Sequence, residues 1–135
     1  MTKIPENLKY TRTHEWVRIM GDNAVVGITD FAQEELHEIV FVEVPEVGKE
    51  VARGSELAAV ESVKARSEIF APLSGTVVKV NSALVEGAEP ARPELINEDP
   101  YGNGWIVELR LGNAAEVSDL LSPSEYGKLL ESKKG

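Results

Sequence analysis

Val60-Glu61-Ser62-Val63-Lys64-Ala65-Arg66-Ser67-Glu68-Ile69-Phe70 is the stretch on which the fold turns. Strand-forming residues run up to Lys64 and away from it, so the segment reads as a β-hairpin with Lys64 at its tip. Neither Val63 nor Lys64 tolerates positive φ well, which disfavours a two-residue type I′ turn. A type I turn, with every φ negative, is expected instead. It would hold the Lys64 side chain outward, with Glu61 and Glu68 nearby on the two arms. A lysine at a hairpin tip is by itself an ordinary solvated charge, so its neighbourhood must supply the argument.

An internal repeat brackets the hairpin. Pro45-Glu46-Val47-Gly48 is echoed by Pro72-Leu73-Ser74-Gly75, and at the same spacing Val51 matches Val78, Ser55 matches Ser82 and Leu57 matches Leu84. Gly54 is matched by Asn81, the other residue that accepts positive φ. Each copy, about 45–60 and 72–87, reads as turn, strand, turn, strand. Two such units packed face to face make a small sandwich with approximate two-fold symmetry, and Lys64 lies between them, near the axis.

Outside the repeat, Trp16–Met20 and Ala24–Ile28 flank Gly21-Asp22-Asn23 and predict a second hairpin. Asp30-Phe31-Ala32-Gln33 fits a capping box with Asp30 as N-cap, followed by a short helix to about Leu36. Ile39–Val42 is apolar throughout, so a strand covered on both faces is expected. Val85–Pro93 reads as a surface loop and 97–102 as a turn region. Trp105, Val107, Leu109 and Leu111 alternate with Ile106, Glu108 and Arg110, the pattern of a half-buried strand. Ser122-Pro123-Ser124-Glu125 is another capping box, opening a C-terminal helix over about 123–131 with 132–135 fraying.

With 135 residues the default is a single domain, 1–135. A chain this long buries roughly two-thirds of its unfolded surface and needs no staple. There is no cysteine, which excludes disulfides, thiolate metal sites and a cysteine nucleophile, and leaves no protein thiol to compete with a bound dithiol. His14 and His37 show no ligand spacing, so no metal is expected. A net charge of −9 makes nucleic acid a poor partner and suits docking to proteins with basic entrances. No apolar run is long enough to span a membrane, and the N-terminus has neither signal-peptide nor transit-peptide character; a cytoplasmic protein, or a mature form with its leader already removed, is expected.

No catalytic constellation stands out. There is no Gly-x-Ser-x-Gly elbow, and Val47-Gly48-Lys49 lacks the upstream glycine of a phosphate loop. The pairs Glu34/Glu35 and Glu98/Asp99 read as solvated surface. A carrier fits better than an enzyme. It needs one amine on a rigid projection that several enzymes can reach, and acylation would make that amine a neutral amide bearing a long arm. Lys64 meets the demand.

Glu61-Ser62-Val63-Lys64-Ala65, followed by Ile69-Phe70-Ala71-Pro72-Leu73-Ser74-Gly75, resembles the lipoyl-lysine region of the H-protein family of the glycine cleavage system. Tyr10-Thr11, His14-Glu15-Trp16, Gly27–Gln33, Ile39–Pro45, Pro93–Gly102 and Gly104-Trp105 extend the resemblance over about residues 5–131. It implies a mainly β fold, a barrel-sandwich hybrid of the lipoyl/biotinyl-carrier type with short peripheral helices and a C-terminal helix. It implies lipoate in amide linkage to Lys64, with Glu61, Ser62, Val63 and Ala65 as hairpin neighbours. The implied role is a non-catalytic shuttle of the aminomethyl group of glycine and of reducing equivalents. Its implied partners are glycine decarboxylase (P), aminomethyltransferase (T), dihydrolipoyl dehydrogenase (L) and the lipoate-attaching enzymes, and a monomer is expected. A loaded arm carries a cationic amine, and a carboxylate beside a docking groove would hold it; Glu15 and Glu68 are the candidates.

Two departures stand out. His37 occupies a position where the family usually has glycine, so a positive φ or an altered turn is expected there. The loop over 85–92 is longer than usual. Three other readings compete. One is an H-like lipoate relay, or the lipoate-binding protein of a sulfur-oxidation pathway. Another is a different swinging-arm domain, although biotin carriers usually flank the lysine with methionine and 2-oxo acid dehydrogenase lipoyl domains place aspartate before it. The last is an enzyme with an unrecognised site.

Overall fold

In the computed structural model, which describes residues 3–85 and 91–134, the chain is mainly β with short peripheral helices. The strands in order are β1 (Lys9–Tyr10), β2 (Glu15–Met20), β3 (Asn23–Ile28), β4 (Ile39–Glu43), β5 (Glu50–Val51), β6 (Glu56–Ser62), β7 (Arg66–Phe70), β8 (Gly75–Val80) and β9 (Val107–Leu111). Helix α1 (Asp30–Leu36) links β3 to β4, α2 (Leu95–Glu98) precedes β9, and α3 (Pro123–Lys134) closes the chain. One sheet has six strands in the order β1-β2-β3-β9-β8-β5; the other has three, β4-β6-β7. This is the expected barrel-sandwich hybrid.

The β6–β7 hairpin is the far end of a longer excursion. Below the Glu56–Phe70 pair, Ala71 N–H donates to Ser55 O and Gly54 N–H to Ala71 O, each at 2.8 Å. Farther down, Val51 pairs with Gly75 and Glu50 with Thr76, and Gly48 N–H donates to Val77 O at 2.7 Å. Residues 48–77 are therefore one continuous antiparallel hairpin that is rooted in the six-stranded sheet and ends in the three-stranded one. Gly54, with φ +88°, makes the corner between them, a conformation glycine adopts without strain.

The repeat is realised unequally. Leu57 and Leu84 are both buried, as equivalent positions should be. β5 of the first copy pairs edge to edge with β8 of the second, while β6 lies in the other sheet, its Leu57 and Val60 in one core with Val77 and Leu84. Where the second copy was expected to form its second strand, Ser82–Leu84 is a 3-10 turn, and Asn81 has φ −83° with its side chain capping that turn. The carboxamide also donates to Asn103 O and Trp105 O, which gives the residue a tertiary role in place of positive φ.

Local contacts shift several boundaries. The first hairpin turns on Gly21-Asp22, with Gly21 at φ +63°. The N-cap of α1 is Thr29, not Asp30: its Oγ1 accepts from Ala32 N and is also hydrogen-bonded to the Tyr126 hydroxyl, while Asp30 N donates to Tyr101. Asn97 and Glu98, expected in a turn, close α2. The expected strand from Trp105 begins at Val107, and Ile106, assigned to its open face, is fully buried. The box at Ser122 forms as expected, with Ser122 N donating to Glu125 Oε1 and Glu125 N to Ser122 Oγ. Its helix runs on to Lys134, beyond the expected fraying point. The β4 strand is covered on one face only: Ile39 and Val42 are buried, while Val40 and Phe41 are exposed. Most of the 85–92 loop, expected to be longer than usual, lies outside the described residues.

The main core fills the space between the sheets with Val26, Ile28, Val60, Ile69, Val77, Ile106 and Leu109, among others. Fully burying each such side chain contributes about 1.5–3 kcal/mol. A second core packs Leu8, Tyr10 and Trp16 under Tyr126 and Leu130 of α3. Trp16 lies across Gly27 on the neighbouring strand, where a Cβ would come within 2.7 Å of the indole; only glycine fits there.

Candidate functional site

The hairpin tip is built from its own hydroxyl. Ser62 Oγ accepts from Lys64 N (3.1 Å) and Ala65 N (3.0 Å), while Ser62 N–H donates to Ala65 O (2.8 Å). Val63 and Lys64 have negative φ, as expected. The serine hydroxyl takes the N–H that a type I turn would close onto a carbonyl, a common alternative for Ser and Thr. The tip is also tied sideways: Val63 N–H donates to Glu38 O at 3.1 Å. Below it Arg66 on β7 reaches Glu43 on β4 (2.7 Å) and Glu61 on β6 (3.6 Å), clamping all three strands of the smaller sheet. The hydrogen bond to Glu43 is the chief reason that the guanidinium holds its proton more firmly than usual.

Lys64 is exposed, yet its side chain is not simply outward. Nζ donates to Glu35 O at 3.1 Å, in the last turn of α1. The final carbonyls of a helix lack intrahelical donors and carry the negative end of its dipole, so an ammonium is well placed there. Glu61, expected beside the lysine, points its carboxylate at Arg66 instead.

The residue that anchors the lysine belongs to the wall of a groove. Glu35 forms part of the wall of a cleft of about 640 Å³ between α1 and the β6–β7 hairpin. Ile28, Phe31, Leu36 and Ile69 supply its apolar wall, and Glu15, Glu68 and His14 are among its polar residues. The volume lies within the ~300–1,000 Å³ usual for small-molecule clefts. The two carboxylates proposed from sequence thus reach the same cleft from β2 and β7. They differ in state. Glu68 is exposed. Glu15 is 1% exposed and fully engaged: Thr11 and Thr13 hydroxyls donate to Oε1 and Phe70 N–H to Oε2. Burial raises its pKa, and the hydrogen bonds from Thr11, Thr13 and Phe70 recover only part of the desolvation cost. A second groove, about 460 Å³, lies beyond Glu15, and none of residues 60–69 contributes to its wall.

Sequence reasoning missed four contributors. Glu35 acts through its carbonyl, Glu38 ties the tip, Glu43 anchors Arg66, and Tyr126 braces α1 from the C-terminal helix. The first two act through the backbone and leave no residue-type signal. The Ser62 turn was detectable, because Ser before a two-residue tip is a known hydroxyl-turn position.

No helix among the described residues is long and apolar enough to cross a membrane. The family model described as glycine cleavage H-protein matches residues 8–133. A glycine cleavage system H protein of Carboxydothermus hydrogenoformans is 50% identical over 131 residues, 97% of this chain and 97% of the relative. One from Rubrobacter xylanophilus is 54% identical over 134 residues, 99% of this chain and all of the relative. The crystal structure of a glycine cleavage system H protein from Mycobacterium marinum superposes with a TM-score of 0.78 at 40% identity, over 93% of this chain and 97% of that one.

Proposed function

The chain belongs to the glycine cleavage H-protein family, and from that premise we propose that Lys64 is the residue that carries lipoate. The protein is the lipoyl carrier of glycine cleavage, a non-catalytic subunit. Relatives at 50 and 54% identity bear that name over nearly the whole chain, so the relay and sulfur-oxidation readings are not favoured.

The observation that carries the Lys64 assignment is its place at the tip of a hairpin rooted in both sheets, with Nζ bonded to the carbonyl of Glu35, a residue on the wall of the cleft. An acylated nitrogen loses its charge and keeps a single N–H, which weakens its hold on Glu35 O and frees the arm to swing or to lie in the cleft. Lipoate supplies the dithiolane on which the aminomethyl group and reducing equivalents travel. The protein's own residues present that arm: Ser62 and Arg66 stiffen its base, and Ile28, Leu36 and Ile69 offer it an apolar bed. Glu68 and Glu15 offer negative charge where a cationic amine would come to rest, with Glu68 the accessible one. If Glu15→Gln and Glu68→Gln leave the lifetime of the loaded arm unchanged, this part of the proposal fails.

The partners in this reading are the decarboxylase, the aminomethyltransferase, dihydrolipoyl dehydrogenase and the lipoate-attaching enzymes, met by a monomer. A cytoplasmic location belongs to the same proposal, supported by the bacterial origin of the relatives. Intact mass of protein from a lipoate-replete host is the direct test. A lipoyl-sized addition is expected on Lys64 and should be lost in Lys64→Arg; an addition on another lysine, or none, overturns the assignment.

A further inference from the structure

His14, in the connection from β1 to β2, has φ +72°, a left-handed state that non-glycine residues keep only where their surroundings hold them. Its backbone is held on both sides: His14 N–H donates to Thr11 O at 3.2 Å, and Thr29 N–H donates to His14 O at 3.0 Å. Its imidazole packs on Phe31 with ring centroids 4.8 Å apart, and Nδ1 lies 2.8 Å from the Tyr126 hydroxyl. His14 and Phe31 both line the cleft between α1 and the β6–β7 hairpin.

Two influences act on this imidazole in opposite directions. Glu15 on β2, Glu35 on α1 and Glu68 on β7 line the same cleft, and nearby carboxylates favour the imidazolium. The hydroxyls on its other nitrogen favour the neutral ring. Tyr126 on α3 keeps its proton, because burial raises its pKa. With neutral His14, the Thr29 hydroxyl donates to Tyr126 and Tyr126 donates to Nδ1, while Thr29 Oγ1 accepts from Ala32 N. Every hydroxyl proton then has an acceptor. A proton on Nδ1 reverses both bonds and leaves the Thr29 proton without another acceptor among the described residues. Thr29 is fully buried, so water does not make up the loss. An imidazole under such opposed pulls is readily tipped by a new charge beside it.

We propose that His14 is the exchangeable cation of the arm cleft: protonated, it balances the carboxylates of the empty cleft, and a cationic amine that settles there displaces its proton. The proposal rests on the reading above that the loaded arm brings its amine to Glu15 and Glu68. Two cations beside the same carboxylates repel each other, so imidazolium and ammonium compete for the cleft. Glu15 makes the competition sharp, since it is buried and a cation in the cleft offsets its desolvation. His14 is thus a positioning residue, which sets the pH range in which the cleft retains its load.

The test follows the His14 imidazole by NMR in the full-length protein over about pH 5 to 8, with His14→Asn identifying its signal. Asparagine tolerates left-handed φ, so that variant keeps the turn. In the unmodified protein, Glu15→Gln and Glu68→Gln together should lower the titration midpoint by about one unit. In the lipoylated protein, loading the arm with glycine and purified glycine decarboxylase should lower it by a similar amount relative to the unloaded arm, about tenfold in proton affinity. By linkage, the cleft then holds the load about tenfold more weakly below the midpoint than above it. A load that leaves the cleft meets water, so its lifetime, read by intact mass, shortens in step. Glu15 and Glu68 also lose charge in acid, and the imidazole's share is the part of the pH profile that disappears in His14→Asn. An unchanged midpoint in the double variant, or a wild-type pH profile in His14→Asn, overturns the proposal. A midpoint that falls in the double variant but does not respond to the load overturns the premise that the load rests in this cleft.

Discussion

His37 ends α1 at φ 66° and ψ −151°, a region that belongs almost wholly to glycine. The sequence points to positive φ here, though not to this ψ. The conformation is held from both sides: the His37 N–H donates to Gln33 O and Asn97 Nδ2 donates to His37 O at 2.7 Å. A non-glycine residue in such a state costs of order 1–3 kcal/mol. His37→Gly should therefore stabilise the fold by about 1 kcal/mol after the greater freedom of the unfolded chain is deducted. A higher urea midpoint with unchanged slope would show it; a lower midpoint would mean that the imidazole makes compensating contacts. Glu15 gives a pH test. Its folded pKa lies above the ordinary 4.5, chiefly through desolvation by burial, so the folded state binds its proton more tightly than the unfolded state. The protonated form's contribution is then complete below pH 4.5 and is lost as pH rises through the folded value. Glu15→Gln, which stays neutral, should gain stability relative to wild type across that window and hold a constant difference above it. Denaturation at a series of pH values checks this, and parallel curves would show that burial does not penalise the ion.

At the scale of elements, the site depends on a strut far away in sequence. Tyr126 on α3 stacks on Tyr10 with ring centroids 4.7 Å apart. Its hydroxyl meets Thr29 Oγ1 at 2.7 Å and His14 Nδ1 at 2.8 Å. Thr29 caps α1, so the C-terminal helix sets the start of the helix whose other end holds Lys64 Nζ. Tyr126→Phe keeps the stacking and leaves the buried Thr29 hydroxyl short of a partner, an expected loss of about 1–2 kcal/mol. Chemical denaturation measures that loss, and faster amide exchange in the first turn of α1 should accompany it. Equal exchange in both proteins would place the brace elsewhere. The same interlocking explains why local capping logic placed the cap of α1 one residue late: Thr29 and Asp30 can both cap, and the Tyr126 and Tyr101 hydroxyls favour the former.

At the scale of the whole molecule, the net charge of −9 and the clamped hairpin act together. A rigid projection limits the orientations that productive docking must find, and the acidic surface would speed encounter with any partner whose entrance is basic. Raising ionic strength from 0.05 to 0.5 M should slow association with the decarboxylase, the partner proposed above, about tenfold or more while changing dissociation little. Stopped-flow measurement decides it; a salt-independent association rate would mean that the charge serves solubility alone.

The residues by themselves determined the hairpin, its tip, the capping box of α3 and the apolar alternation of the sheets, because each rests on contacts between neighbours in sequence. Val60 to Phe70 was enough to place Lys64 on a projection. What tertiary structure alone decided is where that lysine lies and what surrounds it. The bond from Nζ to Glu35 O, the clamp from Arg66 to Glu43 and the shared approach of Glu15 and Glu68 to one cleft join segments 23 to 53 residues apart. The bulge that turns Val40 and Phe41 outward depends on pairing register with β6. Apolar character alone predicted burial there, since residue type records a side chain's preference and not the face on which register will set it.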